Sequence, residues 1–517
     1  DCNYQKNLNE KMLKLNKNYY FNISYFDLFF SLILGCLLSL ANPPFYFPYI
    51  IIPILAIIGY NWLNKHRNLT GSFFYGFFFG FGYFICSLVW IVEPFLIEPN
   101  SRVVFAPFAL LLLAVILSFF WGSSFYFASF KNDFKNKKIS LLKLIIFFSL
   151  AEFLRSFLFT GFPWVLLGLA FIDTPISQTL SIFGPYWLTF IIIFLCFIIP
   201  TGFMGILISI AGFFLLNFYG LYRFDKVMYD FTNKQIRIIQ PNITQKNKWK
   251  KELSEIHFSK LVKLSNENSE NVDILIWPET AVPFFLEYKK NFRNIMIKNV
   301  SKPIILGARR YNKETNELYN SAYFLNENGK IEQIYDKKHL VPFGEFIPFI
   351  DFLNVFVETG TDNNGITGFS IGQKSNEITI DNFATIAIFI CYESIFSSEI
   401  DKNITNSDLI IHLTNDAWFG AYNGPQQHFV QMRARAIEQG LPVMRSANTG
   451  ISALIDPYGR VIKKIPLNVE GFLDVNIPKK LDKTLYSKIG AVNWNFLLIC
   501  LFALFYFLCL KRKNKRN

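Results

Sequence analysis

The stretch ATIAIFICYES, residues 384–394, decides how the polar part of this chain folds. Its first seven residues, 384–390, are mostly apolar and rich in isoleucine, which is typical of a strand buried on both faces of a sheet. Cys391 follows directly, with Tyr392 and Glu393 behind it. The end of a buried strand is where α/β proteins often present a nucleophile. The stretch therefore predicts a strand of a layered fold and a candidate reactive thiol.

Similar apolar runs recur on both sides of this stretch. They lie at residues 236–239, 272–277, 303–306 and 409–413. Segments 249–265 and 426–439, between such runs, have the pattern of helices, and the second stops at Gly440, a residue type common just past a helix end. Strands that alternate with helices indicate an α/β layered domain. We place this domain at residues 221–490.

The rest of the chain is far more apolar. Of all 517 residues, 52% are hydrophobic and only 17% are charged, whereas a soluble domain carries about 25% charged residues. Runs long enough to span a bilayer are predicted at residues 25–41, 46–63, 72–93, 103–130, 139–159, 180–199, 202–220 and 493–510. They predict an α-helical membrane bundle of about eight spans. About seven of these lie in a membrane domain at residues 25–220, and the last lies in residues 491–517.

The distribution of positive charge predicts the orientation of this bundle. Lysine and arginine accumulate in the tail 1–24, at Lys65 and Arg67, at residues 131–138 and at residues 511–516. Positively charged loops stay in the cytoplasm. Both ends are therefore predicted to be cytoplasmic, and the polar domain is predicted to lie in the periplasm of a Gram-negative cell. The net charge of +13 is explained in this way without a nucleic-acid partner.

Two further segments carry side chains that complement Cys391. Glu279 follows the apolar run at 272–277, and Lys337 lies in the segment 335–345. A thiol reacts as the thiolate and needs a base, which Glu279 can provide. The oxyanion of an acyl transfer needs fixed donors, which Lys337 and the backbone N–H of Tyr392 can provide. This set needs no cofactor and no metal, and no His/Cys cluster has metal-ligand spacing.

Each of these residues also has an ordinary structural interpretation. A cysteine after a strand is more often a core residue, and a glutamate after a proline usually caps a helix or meets solvent. A Lys-Lys pair usually lies on a solvated face. Spacing along the chain does not show that the three side chains meet. Their combination in one domain, in this order, is what favours a catalytic site.

The order Glu279, Lys337, Cys391 resembles the carbon–nitrogen hydrolase (nitrilase) superfamily, whose members use a Glu–Lys–Cys triad. Longer phrases resemble the apolipoprotein N-acyltransferase family more narrowly. They are YDKKHLVPFGE at 335–345, TNDAWFG at 414–420, PQQH at 425–428, RSANTG at 445–450, EFLR at 152–155 and GFPW at 161–164. The resemblance covers nearly the whole chain. It implies a nitrilase-like αββα sandwich above an eight-helix membrane bundle.

The resemblance also implies roles for individual residues. Glu279 would be the general base, Lys337 would stabilise the oxyanion and Cys391 would be the nucleophile. Glu345 and Glu393 would support the site, together with Tyr392 next to the nucleophile.

A third group of residues is expected to bind substrate. Trp249 resembles a family position near the acyl-binding site, although an exposed helix aromatic fits it equally well. Trp418 and Phe419, with Phe346 and Phe349, are candidate lining residues of a water-poor pocket. Packing of loops without any lipid contact is an equally weighted interpretation of these four.

The implied reaction has two steps. Cys391 takes an acyl chain from a membrane phospholipid, and the α-amino group of the diacylated N-terminal cysteine of an apolipoprotein then takes it from the thioester. Because both substrates lie in the bilayer, a membrane anchor is expected. One alternative is a membrane-tethered amidase of the same superfamily with water as the acceptor. A transporter with an extracytoplasmic binding domain is the alternative from another class.

The membrane part contains one charged pair of note. Glu152 and Arg155 are spaced to share one helix face. Charges inside a membrane are costly and tend to pair. We expect them to form an ion pair that fixes the bundle rather than to take part in catalysis.

Overall fold

The structure is a computed structural model, which describes residues 24–65, 67–97, 101–132, 134, 136–225, 230–348 and 368–514. The tail 1–24, apart from Ser24, lies outside the described residues. So do Phe349 and the end of the basic C-terminal segment, residues 515–517.

Helices lie at all of the predicted spans. They are α1 (Tyr25–Leu38), α2 (Ile51–Asn64), α3 (Leu69–Ser87), α4 (Ala106–Ser129), α5 (Lys137–Leu154), α6 (Leu180–Phe197), α7 (Phe203–Asp225) and a C-terminal helix (Ala491–Asn514). By length and composition, five helical segments of the described chain can cross a membrane, and two more, Tyr25–Ala41 and Pro48–Asn64, are apolar but shorter. The prediction of an apolar helical bundle is confirmed, and the number of spans is approximate.

Glycines bring α1 and α3 into close contact. A Cβ atom added to Gly35 would lie 2.1 Å from the carbonyl oxygen of Phe79, and one added to Gly82 would lie 2.2 Å from that of Leu32. Small residues allow helix backbones to approach in this way inside a membrane. The crossing of α1 and α3 therefore depends on these two glycines.

Glu152 and Arg155 form a buried ion pair at the end of α5. Arg155 Nε donates to Glu152 Oε1 at 2.7 Å, and Arg155 Nη2 donates to Glu152 Oε2 at 2.9 Å. Arg155 Nη1 also donates to the carbonyl oxygens of Phe162 and Trp164. The pair thus fastens the loop after α5 to the bundle, as expected for a structural role.

The polar domain consists of two six-stranded sheets. The described strands are β1 (Phe231–Gln240), β2 (Ile274–Val282), β3 (Ile304–Asn312), β4 (Glu317–Leu325), β5 (Ile331–Asp336), β6 (Glu377–Ile380), β7 (Ala384–Ile390), β8 (Leu409–Thr414), β9 (Val443–Ala447), β10 (Ser452–Ile455), β11 (Val461–Ile465) and β12 (Gly471–Pro478). One sheet has the order β12-β1-β2-β3-β4-β5 and the other β11-β10-β9-β8-β7-β6. In each sheet the three central strands are parallel, β1-β2-β3 and β7-β8-β9.

The two sheets pack face to face. Isoleucines from both, such as Ile276 on β2 and Ile388 on β7, share one buried cluster. Helices Ser254–Asn266 and Lys290–Val300 cover the outer face of the first sheet, and Gly424–Gln439 covers that of the second. The arrangement is an αββα sandwich, which confirms the predicted fold class.

Two local predictions differ from the structure. Glu279 does not follow a strand but lies inside β2, where the pairing with β3 shifts register between Trp277 and Val282. Trp249 does not begin a helix, because the helix starts only at Ser254. Lys248, just before Trp249, points its ammonium at the carbonyl oxygen of Glu279, and this contact holds the segment against β2.

Candidate active site

Cys391 occupies a sharp turn at the end of β7. It is the first residue of a short 3-10 turn, Cys391–Ile395, and its φ of 50° lies in the left-handed region. A residue other than glycine adopts this conformation at an energetic cost and only where its surroundings hold it there. The side chain is buried, with 5% of the residue exposed. The turn thus presents the thiol at the strand end, as the sequence predicts.

Asn320 connects the two carboxylates of the site. Its side-chain amide Nδ2 donates to Glu279 Oε1 at 2.7 Å and to Glu345 Oε1 at 2.9 Å. All three side chains lie in the first sheet or its adjoining loop, and Asn320 and Glu279 are buried. Asn320 was not among the residues predicted from the sequence, although an amide inside the apolar strand β4 indicates a buried polar contact.

Lys337 follows β5 directly and faces Glu345. Its ammonium lies 2.8 Å from Glu345 Oε2, and its side chain is only 1% exposed. Burial alone would lower the pKa of Lys337, but Glu345, Cys391 and Glu279 outweigh it and raise the pKa above its ordinary value. Lys337 is therefore a fixed positive charge at this site.

Asn320 and Glu345 link Glu279 to Lys337, and both of these charges act on the Cys391 thiol. Burial raises the pKa of the Cys391 thiol well above its ordinary value, and Glu279 raises it further, whereas Lys337 lowers it. The resting thiol is therefore protonated at neutral pH, and its activation requires a base.

Lys248 brings a second cation to the site. Its Nζ donates to the carbonyl oxygen of Glu279 at 3.0 Å, and its side chain is buried. Burial lowers the pKa of Lys248 to about 8, while Glu279 and Cys391 oppose the shift. Sequence reasoning missed this residue, because a lysine in a polar segment normally faces solvent.

Glu393 connects the segment around Lys337 to the turn at Cys391. Its Oε1 accepts from the Tyr335 hydroxyl at 2.6 Å and from the Lys338 backbone N–H at 2.7 Å, and its Oε2 accepts from the Ile390 N–H at 2.7 Å. The carboxylate thus binds the end of β5 and the end of β7 at once. Tyr392, also buried, packs its ring against His339 and Phe396.

The residues predicted to bind substrate differ in exposure. Trp249 and Trp418 are 40% and 43% exposed, and Arg309 lies over the Trp249 ring at 4.4 Å. Phe419 is buried and packs against Trp90 and Trp164 of the membrane part, at ring-centroid distances of 4.8 and 5.7 Å. Phe419 therefore lies in the contact between the two parts of the molecule, away from solvent.

The side chains gathered at this site have the composition of an acyl-transfer centre. Across the described ranges, no group of three or more histidine, cysteine, aspartate or glutamate side chains is arranged to hold a metal ion. A nucleophile, a carboxylate base and fixed cations are the groups that acyl transfer through a thioester requires.

Known proteins match both parts of this chain. Residues 34–198 match the family model of the apolipoprotein N-acyltransferase N-terminal domain, and residues 235–484 match that of carbon-nitrogen hydrolase. A protein of Rickettsia bellii named apolipoprotein N-acyltransferase is 35% identical over 503 residues, which cover 93% of this chain and 98% of its own. A protein of the same name from Rhodopseudomonas palustris is 32% identical over 499 residues, which cover 89% and 91%.

The matches extend over the membrane helices and the sandwich alike, so the resemblance read from the sequence is confirmed. The chain therefore belongs to the apolipoprotein N-acyltransferase family, and it is an acyltransferase that carries a carbon–nitrogen hydrolase domain.

Proposed function

We propose that this enzyme moves an acyl chain from a membrane phospholipid to the α-amino group of the N-terminal diacylglyceryl-cysteine of apolipoproteins. The chain would be held during transfer as a thioester on Cys391. One observation carries the proposal: a buried thiol shares its site with Glu279 and Lys337, which Asn320 and Glu345 link to each other, in a domain joined at both ends to apolar helices. Substrates dissolved in the bilayer need such an anchor.

In the first step, Glu279 takes the thiol proton while the sulfur attacks the ester carbonyl carbon of the phospholipid. The oxyanion formed is stabilised by Lys337 and by the backbone N–H of Tyr392. When the C–O bond breaks, Glu279 returns the proton to the leaving alkoxide. A lysophospholipid departs, and the acyl chain remains on the sulfur.

In the second step, the neutral α-amino group attacks the thioester carbonyl. Glu279 accepts the proton that the amine loses, the C–S bond breaks, and the proton passes to the sulfur of Cys391. The products are an amide and the original thiol. Water must be kept from the thioester, and the burial of Cys391 and Lys337 supports that requirement.

The acceptor is the point that separates this proposal from the amidase alternative. Purified enzyme mixed with phospholipid and a synthetic diacylated cysteine peptide is expected to give N-acylated peptide and lysophospholipid in equal amounts, measured by mass spectrometry. A matched peptide with an acetylated α-amino group is the control and should stay unmodified. Release of fatty acid at the same rate with either peptide would instead identify water as the acceptor.

Gly307 allows the backbone of β3 to lie against the proposed base. A Cβ atom added there would be 2.6 Å from Glu279 Cα and 2.7 Å from the Thr280 nitrogen. Gly307→Ala is therefore expected to displace Glu279 and lower the rate of acyl transfer by about 10²-fold, the usual cost of misplacing a catalytic group by about 1 Å.

The matched control for this variant is Gly471→Ala, because the nearest atom to an added Cβ there is 3.9 Å away. Initial rates and thermal unfolding would be measured for both variants. If Gly307→Ala kept the full rate, the position of Glu279 would not be critical and its assignment as base would be wrong.

We further propose that the sandwich faces the periplasm from the inner membrane, as the positive charges predict. Asn328 is exposed in the sandwich and Lys138 is exposed at the start of α5. A membrane-impermeant maleimide is expected to label Asn328→Cys in intact spheroplasts and Lys138→Cys only after lysis, each compared with the unsubstituted protein. The opposite pattern would reverse the orientation.

A further inference from the structure

The carbonyl oxygen of Cys391 lies within hydrogen-bond distance of two imidazole nitrogens. His412 Nε2 lies 3.0 Å from this oxygen, and His428 Nε2 lies 3.1 Å from it. His412 is on β8 and His428 is on the helix Gly424–Gln439, and both are fully buried. Pairing between β7 and β8 stops at Ile390, so the contact with His412 takes the place of a strand partner for this carbonyl.

The protonation of His412 is fixed by its other neighbour. Arg445 Nε donates to His412 Nδ1 at 3.2 Å. A guanidinium only donates, so Nδ1 must accept, and the ring proton is on Nε2, facing the Cys391 carbonyl. Burial and the charge of Arg445 lower the pKa of His412 well below its ordinary value. The ring is therefore neutral, and its tautomer suits the bond it makes.

Asp416 closes the network behind the two rings. Its Oδ2 accepts from Arg445 Nη2 at 2.8 Å, and its Oδ1 lies 2.9 Å from His428 Nδ1. All four side chains are buried. Asp416, His428 and Arg445 come from the motif segments 414–420, 425–428 and 445–450, and His412 lies on β8 just before the first of these. The two-step mechanism assigns no role to these four side chains.

The hydrogen bond from His412 acts on a peptide group that takes part in the proposed chemistry. The carbonyl of Cys391 and the N–H of Tyr392 belong to the same planar amide. Donors on the oxygen of an amide polarise it and strengthen its N–H as a donor. They also fix the direction in which that N–H points. The N–H of Tyr392 is the backbone donor proposed above for the oxyanion.

We propose that His412 is a positioning residue of the oxyanion hole: by holding and polarising the 391–392 peptide, it aims the Tyr392 N–H at the substrate oxyanion. His428 supports it within the same buried network. This inference rests on the proposed function, since it concerns the acylation of Cys391. A purely structural role for the same network would support the fold of the turn and nothing more.

Two reactions of the same thiol separate these roles. Acylation by an activated carboxylic ester passes through a tetrahedral oxyanion, whereas alkylation by iodoacetamide displaces iodide at carbon and forms none. His412→Leu is expected to slow acylation by about 10²-fold, the cost of misplacing a catalytic group by about 1 Å, mainly in kcat rather than KM. Its alkylation rate should equal that of the unsubstituted enzyme.

His412→Gln keeps the design testable if the leucine variant does not fold. A glutamine amide can accept from Arg445 and donate to the Cys391 carbonyl, so this variant should recover much of the acylation rate. His428→Gln is measured in the same way, and His257→Gln, a histidine on the helix Ser254–Asn266, is the matched control.

Equal losses of acylation and alkylation would mean that the network only supports the fold, and the inference would fall. Unchanged acylation in His412→Leu would overturn it as well. An activated ester is used as donor so that the result does not depend on phospholipid. Failure of the enzyme to accept phospholipid would then contradict the proposed function while leaving the histidine test valid.

Discussion

Cys391→Ala is expected to lose acyl transfer by about 10⁴-fold or more, the scale seen when a catalytic nucleophile is removed. The alanine has no atom that can hold the acyl chain, so both steps stop. Intact-protein mass spectrometry should show one added acyl chain on the unsubstituted enzyme after exposure to phospholipid, and none on this variant. The rate is measured as N-acylation of a diacylated cysteine peptide.

The control variant must also remove a buried thiol. Cys196 is fully buried in α6, in the membrane part and not in the sandwich, so Cys196→Ala creates a comparable small cavity. It should retain the acyl adduct and the rate. Size-exclusion profiles and thermal unfolding of the two variants should match. If the acyl adduct persisted in Cys391→Ala, the nucleophile would be a residue other than Cys391.

The parts of the fold that follow from local composition could be predicted from the sequence. Residues 384–390 form β7 with the predicted bounds, because a short run that is mostly apolar and rich in isoleucine is typical of a strand buried in a sheet. The helix Gly424–Gln439 ends where predicted, because Gly440 takes the left-handed conformation that stops it. In both cases the residues that decide the structure lie within the element itself.

The site was predictable only in part, because its geometry depends on contacts between distant segments. Asn320 lies 41 residues from Glu279 along the chain, and Lys248 lies 31 residues from it. No local sequence pattern predicts that these side chains are in contact. An amide inside an apolar strand indicates a buried polar contact, but the partner remains open until the sheets are assembled.

The same limit applies to Glu279 itself. Its chemistry was predictable from residue type, but its location inside β2 was not, since Pro278 normally interrupts a strand. The register shift between β2 and β3 accommodates the proline, and Gly307 provides the space for the backbone of Glu279. Both the register shift and Gly307 involve the neighbouring strand β3, so the sequence around Glu279 alone does not reveal them.

Lys337→Met is expected to have the second-largest effect, for two separable reasons. It removes a fixed donor to the oxyanion, which costs about 10²- to 10³-fold in kcat. It also leaves Glu345 without its partner at 2.8 Å, and breaking a buried ion pair costs roughly 3–5 kcal/mol of stability. Because Lys337 lowers the pKa of Cys391, the thiol should also alkylate more slowly at each pH below that pKa.

A double variant separates the catalytic loss from the loss of stability. Lys337→Met combined with Glu345→Gln removes both charges of the pair, so no unpaired carboxylate remains there and the unfolding temperature should return toward that of the unsubstituted enzyme. Acyl transfer should remain low, because the oxyanion still lacks the ammonium. If the double variant regained the rate together with the stability, Lys337 would serve only to neutralise Glu345, and the oxyanion would be stabilised by other groups.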